Sequence, residues 1–401
     1  MERAKMEDYT YDSSSRRNFL KTAALAGVGL APVLRTHKFL GDVSRPFEKK
    51  TSSPYLDPKG KVRIGLIGLT GRPGLILNAI PNIHGARLVA FALSDGQRLP
   101  REFQRERERT SNESERSGVR AFPAFHRKTR IYETFQEMFV KEDLDVVASC
   151  LPNGLNAHAS IAAARKGCHI ISEEPLALGS RPLATLESVI DETKVQITTM
   201  TELRLCPAVL AVRQAIADGL IGEPFLVFAQ KSYRSERDRA SFHSKPPVGP
   251  IPWRGLDLLD SISYTTGMEI RQASGLVSNK TAPATDFQDN PLLVKFSNGG
   301  TGIVSVNSVG AQTGSEHEIN RLRATGPNGV IEMMGQRATL LTPNHPPRDL
   351  PLPPRVSILE SFVALLRGQG PHVMTSEESF RVARVSLIAD RAAKEGELLR
   401  A

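Results

Sequence analysis

Val62-Arg63-Ile64-Gly65-Leu66-Ile67-Gly68-Leu69-Thr70-Gly71-Arg72-Pro73-Gly74 is the stretch on which the fold turns. Val62 to Ile67 is a short apolar run of strand length, and it stops at glycines that permit a tight turn. A helical pattern from Leu75 to Ile80 follows. Outward from this point the alternation repeats. Arg87 to Leu93 reads as a second strand, and Asp145 to Cys150 as another, preceded by a helical pattern from Glu133 to Val140. Ala157 to Lys166 is an Ala-rich helix, His169 to Ser172 a strand, Pro182 to Glu192 a helix and Val195 to Met200 a last strand. Strands separated by single helices specify βαβ units and a doubly wound parallel sheet, an α/β fold of Rossmann type. Ligands of such sheets bind at the carboxyl ends of the strands, where the strand order reverses.

The chain has 401 residues, 40% hydrophobic and 24% charged, which excludes wholesale disorder, collagen and coiled coil. Its length suits two domains plus a leader. The net charge is +9, from 52 Lys and Arg against 43 Asp and Glu. The first 60 residues hold 11 of these cations against 7 acids, so much of the excess lies in the leader. The remainder shows no clustered basic face, and the dense run Arg101 to Arg116 alternates in sign as a solvated helix or loop does. No nucleic-acid partner is expected. Cys150, Cys168 and Cys206 form neither a disulfide framework nor a CxxC zinc pattern, and they read as small buried hydrophobes. No metal site is assigned. No run of about 18 apolar residues marks a transmembrane span.

Ser15-Arg16-Arg17-Asn18-Phe19-Leu20-Lys21 precedes a short Ala- and Gly-rich apolar stretch, Thr22 to Leu34. This layout resembles a twin-arginine export signal, which carries folded proteins outward. No clean Ala-x-Ala follows it, so the leader is cut imprecisely or stays as an anchor, with the protein periplasmic or membrane-anchored. Residues 1–38 are taken as the signal segment, 39–60 as a Pro-rich linker, 61–200 as the Rossmann domain and 201–401 as a second α/β domain.

The turn after the first strand is where a dinucleotide fingerprint belongs, because its glycines let backbone N–H groups approach a pyrophosphate. Gly68 fits the first glycine, Thr70 stands in the second position and Pro73 in the third, with Gly71, Arg72 and Gly74 beside them. A plain glycine-rich turn fits these residues as well. After the second strand, Asp95 is placed to hold a ribose diol, while Ser94 and Arg98 are placed for a 2′-phosphate. NAD and NADP both stay open.

In the second half, Pro207 to Gly219 has helical periodicity. Pro224 to Tyr233, Arg271 to Ser278, Leu292 to Ser297, Thr301 to Val309, Arg321 to Thr325 and Gly329 to Met333 read as strands. Ser297-Asn298-Gly299-Gly300 is a hairpin turn, since Asn-Gly and Gly-Gly tolerate positive φ. Val356 to Leu366 and Phe380 to Lys394 read as closing helices.

Several segments together resemble the glucose–fructose oxidoreductase / inositol dehydrogenase / rhizopine-catabolism (Gfo/Idh/MocA) family. They are VRIGLIGLTGRPG, LDVVASCLPNGLNAHASIAAARKGCHIISEEPLAL, RLCPAVLAVRQAIADGLIGEP and NPLLVKFSNGGTGIVSV, with a tail of the type SFVALLRGQGP…SFRVARVSLIADRAAKEG. The resemblance runs from about Lys61 to Leu399 and implies a Rossmann domain followed by an open, mostly antiparallel sheet. That sheet often forms a homo-oligomer interface and one wall of a carbohydrate site. Pro152 and Asn153 match the family's Thr-Pro-Asn turn near the nicotinamide. Glu173 and Pro175 match its Glu-Lys-Pro motif, but Glu174 replaces the lysine. In Gly255-Leu256-Asp257-Leu258-Leu259-Asp260, Asp260 matches the aspartate of Gly-x-His-x-x-Asp while Asp257 replaces the histidine.

The implied activity is hydride transfer between a sugar, polyol or glycoside carbinol and NAD or NADP, with Glu174, Asp257 and Asp260 as an atypical acidic catalytic set. Two carboxylates crowding one cleft raise one pKa, so the pair suits acid–base work. The same pair suits an amino-sugar cation or a divalent metal. The alternatives are a non-redox sugar-binding protein, or a hydrolase or lyase on the same fold with the cofactor structural or absent. His243 and Lys245, in the loop before Trp253, are a substitute base and cation. Trp253 is either a sugar-stacking platform or a core anchor.

Overall fold

The computed structural model describes residues 56–94, 99, 101, 128–152, 154–233, 249, 251–277, 289–307, 318–370 and 373–401. The twin-arginine segment, Asp95, Arg98, Asn153, His243 and Lys245 lie outside the described residues.

The first sheet contains β1 (Val62–Ile67), β2 (Ala86–Ala92), β3 (Arg130–Tyr132), β4 (Val146–Ser149), β5 (His169–Ser172) and β6 (Ile197–Thr199). Their order is β3-β2-β1-β4-β5-β6, and every pair is parallel. β4 and β5 are buried along their whole length, as continuous apolar runs covered on both faces must be. The strand order reverses between β1 and β4, which fixes the switch point at the ends of those strands. Among the described residues, α1 (Pro73–Leu77), α2 (Phe135–Lys141), α3 (Asn156–Arg165) and α4 (Ser180–Thr193) lie in this region. α1 stops short of the expected Ile80, and a single tight turn, Ile80–Asn82, follows it. Pro81 has no N–H to continue an α-helical ladder.

The second region contains α5 (Pro207–Ala217), β7 (Leu226–Tyr233), α6 (Leu256–Thr266), β8 (Ile270–Gly275), β9 (Asp289–Phe296) and β10 (Thr301–Asn307). After these come β11 (Glu318–Gly326), β12 (Gly329–Met334), β13 (Arg337–Thr342), β14 (His345–Asp349), α7 (Ile358–Leu366), α8 (Ser376–Glu395) and β15 (Leu399–Arg400). The nine strands run in the order β14-β13-β12-β11-β7-β10-β9-β8-β15. All neighbours are antiparallel except β7 and β10, so the open, mostly antiparallel sheet is as expected. The Asn298-Gly299 hairpin joins β9 to β10, with Gly299 at φ +86° and the Phe296 N–H donating to the Gly300 carbonyl at 2.9 Å.

β7 alternates exposed and buried, sending Val227, Ala229, Lys231 and Tyr233 to one face. The apolar members of that face pack in one core with Leu258, Leu259 and Ile262 of α6. Lys231 is the exception to that apolar pattern. The chain then returns: Ile358, Leu359, Phe362, Val363 and Leu366 of α7 share a core with Val62, Ile64 and Leu66 of β1. The first domain's packing is therefore completed by a helix from the far end of the sequence. Among the described residues no helix is long and apolar enough to cross a membrane.

Candidate active site

At the switch point the chain leaves β1 through Gly68 and Gly71, with φ of +71° and +79°. A Cβ on Gly68 would lie 2.3 Å from the Cys150 carbonyl oxygen, and one on Gly71 would lie 1.9 Å from Glu173 Oε1. Both positions require glycine. The turn is bound from beneath, with Gly68 N–H donating to the Ala92 carbonyl and Thr70 N–H to the Cys150 carbonyl, each at 2.9 Å. Glu173 follows β5 and reaches back across the sheet, accepting a very short hydrogen bond from the Arg72 backbone N–H. The Arg72 guanidinium bonds both oxygens of Glu173, reaches Glu174 at 3.1 Å and lies 3.6 Å from Glu202. Asn156, fully buried, fastens the loop after β4. Its amide oxygen accepts from Ser149 and the Leu151 N–H, and its NH2 donates to the carbonyls of Leu151 and Glu173. Pro152 sits on this loop. Gly68, Thr70, Gly71, Arg72, Pro152, Glu173 and Glu174 are thus brought together at the carboxyl ends of β1, β4 and β5.

This cleft fits a dinucleotide in its place in the sheet and in its glycine turn. The turn differs from a pure phosphate cradle in two respects. The Thr70 and Arg72 N–H groups already have protein acceptors, and Arg72 supplies a cation at the same spot.

Glu174 follows Glu173 in the loop after β5. One of its oxygens is held by Arg72, and Oε1 is buried with no hydrogen-bond partner among the described residues. Burial pushes this carboxyl up to about 7; Arg72 and the nearby Thr201 hydroxyl oppose the rise, while Asp257 and Glu173 add to it. Asp257, on the first turn of α6, accepts from Lys231 Nζ at 2.7 Å through Oδ2. Both side chains are almost completely buried, and Asp257 Oδ1 also has no partner among the described residues. Asp257 is thus near enough to raise the pKa of Glu174, and a lysine that sequence reasoning passed over, Lys231, holds Asp257. Its signal was a charged residue at an inward position of β7, in phase with Val227 and Ala229.

Asp260 behaves differently. Arg204 clamps it bidentately, with Nε to Oδ2 at 2.6 Å and Nη2 to Oδ1 at 2.8 Å. Arg204 also donates to the Val373 carbonyl and pairs with Glu378 at 3.2 Å, and its guanidinium lies over the Tyr264 ring. Desolvation pushes Asp260 upward while Arg204 draws it back. Asp260 thus binds α6 to the segments before α5 and α8, with both oxygens hydrogen-bonded by Arg204. Trp253 packs edge-on to Tyr233, with the Arg254 guanidinium 4.5 Å over its ring. Cys150 and Cys168 are buried, and Cys206 is partly so. Among the described residues no group of three His, Cys, Asp or Glu is arranged to hold a metal ion.

A parallel sheet of this order with a glycine turn at its switch point is the arrangement at which such sheets bind nucleotides. Residues 62–200 match the profile described as oxidoreductase family, NAD-binding Rossmann fold (GFO_IDH_MocA). The chain is 27% identical over 206 residues to an inositol 2-dehydrogenase of Rhizobium meliloti, covering 49% of this chain and 58% of that protein. It is 26% identical over 168 residues to a glycosyl hydrolase family 109 protein of Solibacter usitatus, covering 41% and 34%. The chain thus spans about a third to three-fifths of the length of these two relatives. An Agrobacterium radiobacter oxidoreductase solved in complex with NAD+, L-tartaric acid and magnesium shares the fold, with a TM-score of 0.67 at 16% identity over 85% of this chain and 98% of that one.

Proposed function

We propose that this protein is an NAD- or NADP-dependent oxidoreductase of a sugar, polyol or glycoside, with Glu174 as its proton acceptor. The observation that carries the reading is the position of Glu174, buried at the carboxyl end of the parallel sheet with an unpartnered oxygen and a pKa raised to about 7. A base titrating near neutrality is what alcohol oxidation requires. The inositol dehydrogenase relative supports the substrate class.

A bound nicotinamide supplies a hydride acceptor for the carbinol C–H. Glu174 Oε1 takes the hydroxyl proton, leaving a carbonyl on the substrate and a neutral carboxyl on the protein. Arg72 holds the other Glu174 oxygen, so the accepting oxygen is fixed in direction. Gly68, Thr70, Gly71 and Arg72 would hold the diphosphate end, Asp95 the ribose, and Pro152, Asn153 and Glu173 the nicotinamide end. Asp257, paired with Lys231, adds to the rise of the Glu174 pKa and so strengthens it as a base.

The reading extends to location and assembly. The segment Ser15 to Lys21 supports twin-arginine export, tested by whether Arg16→Lys with Arg17→Lys traps a fused reporter inside. Phe228, Ile303 and Leu293 lie side by side across β7, β10 and β9 on the face opposite the helices, and all three are exposed. Such an apolar row supports a homo-oligomer through this sheet, tested by light scattering of the Phe228→Arg variant.

The main test is fluorescence titration of the full chain with NADH and NADPH, followed by a polyol oxidation screen with the cofactor that binds. Micromolar binding and reduction of the cofactor by a polyol are expected. A chain that binds neither cofactor at millimolar concentration overturns the reading.

A further inference from the structure

One guanidinium at the carboxyl ends of β1 and β5 serves three acids. Arg72 lies 3.1 Å from Glu173, 3.1 Å from Glu174 and 3.6 Å from Glu202. The first two acids stand in the loop after β5, and the third in the short turn Glu202–Leu205 after β6. Glu202 is half-buried and also pairs with Arg355 at 2.9 Å. From α6, Asp257 is near enough to act on Glu174, and Asp257 has its own cation in Lys231 of β7. Thr201, next to Glu202, supplies Glu174 with a hydroxyl. Among the described residues, four carboxylates (Glu173, Glu174, Glu202, Asp257) therefore meet three cations (Arg72, Arg355, Lys231), and one negative charge is in excess. The excess falls on Glu174. Its side chain is 6% exposed, it shares its guanidinium with two other acids, and its Oε1 has no hydrogen-bond partner among the described residues. With so little water beside it, this carboxylate acts on a neighbouring charge through less than the screening of bulk water.

We infer that Glu174 makes the cleft select the oxidised form of its nicotinamide cofactor, because that form alone brings a positive ring to the carboxylate in excess. This deepens the proposed function and rests on it, since there one carbinol gives its hydride to the ring and its hydroxyl proton to Glu174. The adenosine, the diphosphate and the second ribose are the same in both forms of the cofactor, so they cancel when the two affinities are divided. The ring charge does not cancel. Turnover agrees with this selection. As the substrate yields hydride and proton, the ring charge and the carboxylate charge vanish together, and no unpaired ion is left in the buried cleft. The pH dependence follows from linkage. Selection requires the carboxylate, so it is absent where Glu174 is protonated and grows as pH rises through about 7. Reciprocally, the oxidised form expels the proton of Glu174 when it binds.

The test is calorimetric titration of the full chain with NAD+ and with NADH, at about pH 5 and about pH 8, in wild type and Glu174→Gln. The readout is the ratio of the two dissociation constants, NADH over NAD+. In wild type the ratio should rise about threefold to fivefold between the two pH values, the upper figure being that of unit charges about 4 Å apart in water. In Glu174→Gln it should stay flat. A second measurement needs no variant. Repeated near neutral pH in two buffers of different ionisation enthalpy, the wild-type titrations should show more proton release with NAD+ than with NADH. A wild-type ratio that does not change with pH, a change that Glu174→Gln keeps in full, or equal proton release with both forms overturns the selection and leaves the proposed function standing. A chain that binds neither form at millimolar concentration counts against the proposed function instead.

Discussion

Asp257 and Asp260 are three residues apart on α6, both buried and both paired with a buried cation, and they are unlike in one respect. Asp260 gives both oxygens to Arg204, whereas Asp257 gives one oxygen to Lys231 and keeps the other unpartnered. The difference teaches how to separate a structural ion pair from a working one when burial and charge are the same. In the first pair every oxygen already has a donor within the protein. An unsaturated pair carries a desolvation cost that only a ligand can relieve.

Breaking the saturated pair should have the largest effect on stability. Asp260→Asn leaves Arg204 buried with Glu378 as its remaining carboxylate, and an unfolding free energy lower by about 3–5 kcal/mol is expected from denaturant titration. NADH affinity at low temperature should survive, because Arg204 lies away from the glycine turn.

Next in size is the pH dependence of stability contributed by Glu174. Its folded pKa is raised from 4.5 to about 7, so the folded state favours the protonated acid. The stabilisation is fully present below 4.5 and is lost as pH rises through 7. At about 1.4 kcal/mol per pKa unit, the Glu174→Gln variant should gain up to about 3 kcal/mol on wild type between pH 5 and pH 8. Chemical denaturation of both proteins at the two pH values reads the difference. Parallel curves would place Glu174 in water and remove the contrast with the exposed acids.

The unsaturated pair should contribute at the lower end of the same range. Asp257→Asn leaves the buried Lys231 ammonium without its carboxylate, and a cost of about 3 kcal/mol is expected. Its effect on the kcat/KM of polyol oxidation should exceed that of Asp260→Asn at a temperature where both are folded. A ranking in the opposite order would erase the distinction between the two aspartates. Smallest in stability is Gly71→Ala, which meets Glu173 Oε1 and forces a side chain to φ +79°. About 1–3 kcal/mol is expected. A clear loss of cofactor affinity should accompany it, read by NADH fluorescence.

The fold was readable because its signals are local. β1, β2 and β4 are largely apolar runs and β5 and β6 short β-branched ones between helical patterns, and the Asn298-Gly299 turn announces its hairpin. β14 was not readable, since His345-Pro346-Pro347-Arg348-Asp349 has no alternation and gains strand geometry only by pairing with β13. The site was half readable. Glu173, Glu174 and the turn from Gly68 to Arg72 stand out by type and place. Lys231 and Asn156 did not, because their roles arise only when the second sheet and the loop after β4 close around them. Asp260 looked equivalent to Asp257 by spacing, and only the position of Arg204, 56 residues earlier in the chain, separates them.

The central claim is that Glu174 accepts the proton during polyol oxidation. Its most direct measurement is the pH profile of kcat/KM for the polyol that wild type oxidises best, alongside Glu174→Gln. Activity in wild type should rise with pH to a plateau with a midpoint near 7, since the carboxylate form is the acceptor. Glu174→Gln should lose at least about a hundredfold in rate, the lower bound for removing a positioned base, and should lack that midpoint. A profile in Glu174→Gln that keeps both the rate and the midpoint of wild type would contradict the account.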